Sequence, residues 1–146
     1  KLLTKKLLKM GRVFFNTRKN IHALNAAYTV LQSDSGKYFM VSNSSGGAYE
    51  ITLPVAADLE EGWHCKFIVK EETPGHAVTI AAGSAILDGV QKDAGGDAAN
   101  STAGTAVSNL VIGTTAQQGD VINLFTDGTT YYFECLSGIN NAITTS

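Results

Sequence analysis

From Tyr28 to the C-terminus, short apolar stretches alternate with clusters of Gly, Asn, Asp and Ser. The stretches YTVL, KYFMVS, AYEITLP, WHCKFIV, AVTIA, AILDGV, VSNLVIG, VINLFT and TYYFECL are rich in Val, Ile, Thr, Tyr and Phe. That repertoire, bounded by turn residues, predicts about eight short strands in a single β-sandwich or barrel-like domain. Strict alternation divides two of them into faces. In one, Trp63, Cys65, Phe67 and Val69 oppose His64, Lys66, Ile68 and Lys70. In the other, Tyr131, Phe133 and Cys135 oppose Tyr132, Glu134 and Leu136. Both cysteines therefore fall on predicted core faces and read as buried free thiols. Asp127-Gly128, between VINLFT and TYYFECL, is the strongest hairpin signal. Residues 91–106, small and polar, predict a long surface loop.

The period changes at the N-terminus. In KLLTKKLLKMG, Leu3, Leu7 and Met10 recur at helical spacing with Leu8 beside them, and Lys5, Lys6 and Lys9 take the other face. This predicts a short amphipathic helix that Gly11 stops and that needs a docking surface, because an isolated helix of this length is marginal in water. Residues 12–27 show no clean period and predict an extended connector, in which Val13, Phe14 and Phe15 would be costly to leave in water. The chain thus divides into a basic N-terminal arm, 1–27, and a β body, 28–146. Leu2-Leu3 and Leu7-Leu8 are split by lysines, so these residues do not form the apolar core of a secretory signal.

Charge sharpens the division. Residues 1–33 hold seven of the 11 basic residues and none of the 13 acids, so a +7 arm precedes a −9 body. Such asymmetry marks an interaction tail. The candidate partner-binding residues are Leu3, Lys5, Lys6, Leu7, Leu8, Lys9, Arg12, Phe14, Phe15, Arg18 and Lys19. Leucines would fill a groove while cations meet acids on a neighbour. An acidic body disfavours a nucleic-acid partner, and the arm is short for an interfacial membrane helix, so neither is expected.

Candidate chemistry is sparse. His22, His64 and His76 lack metal-ligand spacing, and adjacent His64 and Cys65 point to opposite faces of a strand, so they cannot form a nucleophilic pair. Asp88-Gly89, Gly119-Asp120 and Asp127-Gly128 fit turns better than calcium loops. Ser42–Ser45 lack the frame of a nucleophile elbow, and no glycine pair precedes a phosphate-binding helix. The expectation is a non-enzymatic protein without metal or cofactor.

Six short motifs follow in order through the body: Asp34-Ser35-Gly36-Lys37-Tyr38-Phe39, Ile51-Thr52-Leu53-Pro54, Gly62-Trp63 through Phe67-Ile68-Val69, Val78-Thr79-Ile80 with Asp88-Gly89, Gly119-Asp120-Val121-Ile122-Asn123-Leu124, and Asp127-Gly128-Thr129-Thr130-Tyr131-Tyr132. In this order the body resembles a β domain of tailed-phage virion proteins, found in head decoration (cement) proteins and tail-fibre modules. The resemblance implies a structural virion component without enzymatic activity, often trimeric. A single small domain with an arm suits a cement protein on the capsid surface, whose partner is the major capsid protein. The alternative is a tail-fibre or tail-associated module that binds a receptor or glycan, for which Trp63, Tyr131 and Tyr132 are the candidate aromatics.

Overall fold

The computed structural model describes residues 18–43, 46–71, 74–83, 86–94 and 101–146, the last without the side chains of 101–103. The fold is all-β. Its strands are β1 (Asn20–Leu24), β2 (Tyr28–Thr29), β3 (Lys37–Val41), β4 (Tyr49–Thr52), β5 (His64–Val69), β6 (Val78–Ala81), β7 (Leu87–Asp93), β8 (Ser101–Val107), β9 (Asn109–Ile112), β10 (Val121–Thr126), β11 (Tyr131–Ser137) and β12 (Ile143–Thr145). Single 3-10 turns lie at Gln32–Asp34 and Ala56–Asp58.

Two sheets share these strands, one ordered β1-β3-β5-β10-β11-β7-β8 and the other β12-β9-β6-β4-β2. The first six strands alternate between the sheets, and each of β3 to β6 pairs in parallel with the strand two places earlier. The chain therefore coils through three rungs before its path changes. The hairpin β10–β11 then inserts between β5 and β7, antiparallel to β5 on one side and parallel to β7 on the other.

The alternation read from the sequence sets the packing. Trp63, Cys65, Phe67 and Val69 are buried on β5 and its approach, as are Tyr131, Phe133 and Cys135 on β11. They join Leu24, Ile51, Ile80, Leu110, Ile112 and Ile143 in one core drawn from both sheets. Phe39 stacks on Phe67 with centroids 5.1 Å apart, and Trp63 meets Tyr131 edge-on at 6.2 Å. Burying Trp and Tyr needs a partner for each polar tip. Trp63 Nε1 donates to Gln32 O (2.8 Å), and Tyr131 Oη to Pro54 O (2.7 Å). Both thiols are free and buried, as the pattern predicts. Desolvation pushes the Cys135 thiol up to about 12 and that of Cys65 higher still.

Asp127-Gly128 does turn the β10–β11 hairpin. Gly128 takes φ +88°, and Asp127 Oδ1 accepts from the Thr129 and Thr130 amides at 2.9 and 2.8 Å. These bonds, the one from Thr130 first, hold the Asp127 carboxyl well below the usual range.

Four expectations change. Asp88-Gly89, read as a turn, lies within β7 and pairs with Tyr132 and Phe133. Among the described residues there are twelve strands rather than about eight, because several are only two to four residues long. The arm–body boundary at 27/28 cuts through the sheet: Asn20–Leu24, read as connector, pair with Lys37–Val41 as β1. Residues 91–106 are not one loop, since β7 runs to Asp93 and β8 begins at Ser101. Gly104 on β8 and Gly89 on β7 have a steric reason. A Cβ on Gly104 would lie 2.8 Å from the Phe133 ring, and one on Gly89 would lie 2.0 Å from Phe133 O. The expected helix over 1–11 lies outside the described residues.

Candidate binding surface

Pairing registers fix which side chains share the outer face of the seven-stranded sheet. One row runs Ile21, Tyr38, Lys66, Asn123, Glu134, Val90. A second runs Ala23, Met40, Ile68, Val121, Leu136, Lys92, and a third His64, Phe125, Tyr132, Asp88. The second row is apolar across five strands. Ile21 is 63% exposed and Phe125 52%, with Leu136 and Val90 also exposed.

At one corner of this face the arm enters the body. Arg18 and Lys19, both exposed, line a cavity of about 430 Å³ together with Asn20, Lys37, Tyr38, His64, Lys66, Asn123 and Phe125. The ammonium groups of Lys19 and Lys66 lie 5.2 and 5.3 Å from the centroid of the Tyr38 ring, within cation–π range. Two cations are thus drawn to one aromatic in a cavity that no carboxylate lines among the described residues.

Lys37 differs, because Asp34 holds it at 2.5 Å. Asp34 is buried and also accepts from the Leu31 amide (2.9 Å) and Tyr28 Oη (3.0 Å). Desolvation alone would raise its pKa. The bonds from Lys37, Leu31 and Tyr28 outweigh that and leave it lowered, while Lys37 is raised by its bond to Asp34. Asp34 is therefore a structural anchor that fixes the start of β3 and with it one wall of the cavity.

Across the cavity, Phe125 stacks on Tyr132 at 5.3 Å, and Tyr132 Oη donates to Asp127 Oδ2 (3.1 Å). Asn123 Nδ2 donates to Glu134 Oε2 (3.2 Å).

Of the arm residues singled out in the sequence, only Arg18 and Lys19 are described, and both reach this cavity. Leu3, Lys5, Lys6, Leu7, Leu8, Lys9, Arg12, Phe14 and Phe15 lie outside the described residues. Among the three aromatics considered for glycan contact, Trp63 and Tyr131 are core residues, because their strand positions face inward. Tyr132 alone is on the outer face. Sequence reading missed Tyr38, Lys66, Asn123 and Phe125 as neighbours of the arm. Alternation placed Lys66 on a solvent face, but only the register brings it beside Tyr38 and Asn123. His64 is exposed, as expected of a solvated strand residue.

Among the described residues, no group of three or more His, Cys, Asp or Glu side chains converges to hold a metal ion. Nor is any helix among them long and apolar enough to cross a membrane. No protein-family model matches the chain, and no curated protein matches it significantly.

Proposed function

We propose that this chain is a non-enzymatic virion structural protein, a capsid decoration protein that binds the outer shell as a homotrimer and bridges capsid subunits through its N-terminal arm. The observation that carries this reading is where the arm joins the body. Arg18 and Lys19 leave an acidic body at its cationic corner, beside an apolar row that folding does not require on a solvent face. A tether and an adhesive face at one corner suit simultaneous contact with two neighbours. In a closed oligomer such weak contacts multiply. The ordered motifs of the body support the virion assignment by resemblance.

The test deletes residues 1–17, which leaves β1 intact. Light scattering should give a trimer for both chains, and co-sedimentation with undecorated heads of the cognate phage should be lost with the arm. Monomers, or head binding that survives the deletion, would overturn the reading.

One observation favours the tail-fibre alternative. The exposed Phe125–Tyr132 stack with Asn123 beside it has the aromatic-plus-amide composition that suits a sugar ring. Saccharide binding abolished by Phe125→Ala, with no affinity for heads, would establish it.

A further inference from the structure

The cavity lies beside a second unused feature, the open edge of the seven-stranded sheet. β1 is the terminal strand of that sheet, and it has no proline, no bulge and no charge among Asn20–Leu24. Such an edge is a template for another strand. Its polarity follows from one bond. Leu24 O accepts from the Ser42 amide, just beyond β3, at 2.8 Å. Leu24, and by alternation His22 and Asn20, therefore turn their backbone groups toward β3. Ile21 and Ala23 turn theirs outward, where among the described residues no backbone group pairs with them.

We infer that this edge and the cavity together form a docking site for an acidic, extended polypeptide segment, which adds to β1 as an eighth strand and places its carboxylates against Lys19 and Lys66. Main-chain bonds to Ile21 and Ala23 select a polypeptide, since a saccharide cannot continue the ladder. Charge selects its sign. Lys19 and Lys66 bring their ammonium groups into the cavity over Tyr38, no carboxylate among the described residues lines it, and Lys37 beside them has its counter-ion in Asp34. The chain's own arm is the wrong occupant, because residues 1–17 carry five basic residues and no acid. Beside Ile21 and Ala23 the segment meets an apolar surface, so it should be acidic at the end near Asn20 and β-branched in the middle. The inference stands apart from the virion reading, because edge and cavity belong to the body whatever the protein decorates.

The probe is a fluorescein-labelled peptide, Glu-Glu-Val-Thr-Val-Glu-Glu, acidic at both ends so that either strand direction meets the cavity. Anisotropy with the full chain should show saturable binding that weakens with salt. The Gln-for-Glu peptide should bind at least tenfold more weakly, as should a Glu peptide N-methylated at alternate residues, which cannot complete the ladder. Ala23→Pro, which removes an outward amide without touching the β3 ladder, and the double change Lys19→Gln with Lys66→Gln should each cost at least tenfold. Thr79→Ala, on the other sheet, should change nothing. The inference is overturned by an absence of saturable binding. Equal binding of the N-methylated peptide overturns it too, since attraction would then be charge alone. A sulfated disaccharide that displaces the peptide and binds Ala23→Pro undiminished would make the cavity a saccharide site. A mass that doubles in the full chain and halves in Ala23→Pro would assign the edge to a second copy.

Discussion

The two sheets share one core but present very different outer faces. On the five-stranded sheet the register lines up Glu50, Thr79, Val111 and Thr144, with Thr29 and Thr52 in the neighbouring row. These are mostly short, branched, hydroxylated side chains that suit a wet sheet surface and little else. The seven-stranded sheet carries Tyr38, Met40, Ile68, Phe125, Tyr132 and Leu136 outward, with lysines gathered at one end. Folding asks the same of both outer faces, namely solubility and strand propensity. The excess of bulk and cationic charge on one of them is the difference on which the proposed docking rests.

The change that should erase both faces together is in their common core. Phe67→Ala removes the ring stacked on Phe39 and should cost about 3–5 kcal/mol in a urea or guanidinium titration. A loss under about 1 kcal/mol would mean the two sheets are less dependent on that core than their packing implies.

Next comes the anchor of the cationic corner. Asp34→Ala strands Lys37, Tyr28 Oη and the Leu31 amide, and should cost about 1–3 kcal/mol. Its folded-state pKa lies below the ordinary value of 3.8, so its contribution is complete above that value and fades as pH falls through the lower folded one. Acid unfolding of the native chain should therefore steepen below about pH 4, and Asp34→Asn should flatten it. Identical acid titrations of the two proteins would remove Asp34 from the account.

A smaller effect is expected at the hairpin that carries Phe125 and Tyr132. Asp127→Ala frees the Thr129 and Thr130 amides, and their hydrogen exchange should quicken while the β5 amides stay protected. Acceleration spread evenly over the sheet would show that the turn holds more than itself. Smallest of all is the pair that sharpens the contrast. Thr79→Ala and Lys66→Ala should each shift stability by no more than about 0.5 kcal/mol, since neither fills the core. Only the second should weaken the protein's retention on a cation-exchange or acidic-peptide column.

Much of this was legible in the residues. Alternation in WHCKFIV and TYYFECL gave the inward and outward faces of β5 and β11, and Asp127-Gly128 gave their neighbour's turn. β1 was hidden because NIHAL has one buried residue at its end and a half-buried His22 as its only other inward contact, which leaves no period to read. β8 was hidden because STAGTAV lacks bulk, and at Gly104 the need for smallness comes from Phe133, a residue far along the chain. The cavity was half legible. Arg18 and Lys19 stood out by charge, but Lys66, Asn123 and Phe125 reach them only through pairings between distant strands, and single-sequence patterns carry no register between such strands.

The insertion of β10–β11 between β5 and β7 also dictates an order of events when the chain is made. The three coiled rungs find all their mutual partners within residues 20–81, so that part closes on itself as it appears. The β7–β8 ribbon then has nowhere to dock until Tyr131–Ser137 arrive, and β9 waits for Ile143–Thr145 before both its sides are paired. Synthesis must pass Ser137 before the seven-stranded sheet can be completed. Until then β5, with Lys66 on it, is a bare edge, and the cationic cavity lacks its Phe125 wall. The outer face of the seven-stranded sheet is thereby assembled only when the β10–β11 hairpin has docked.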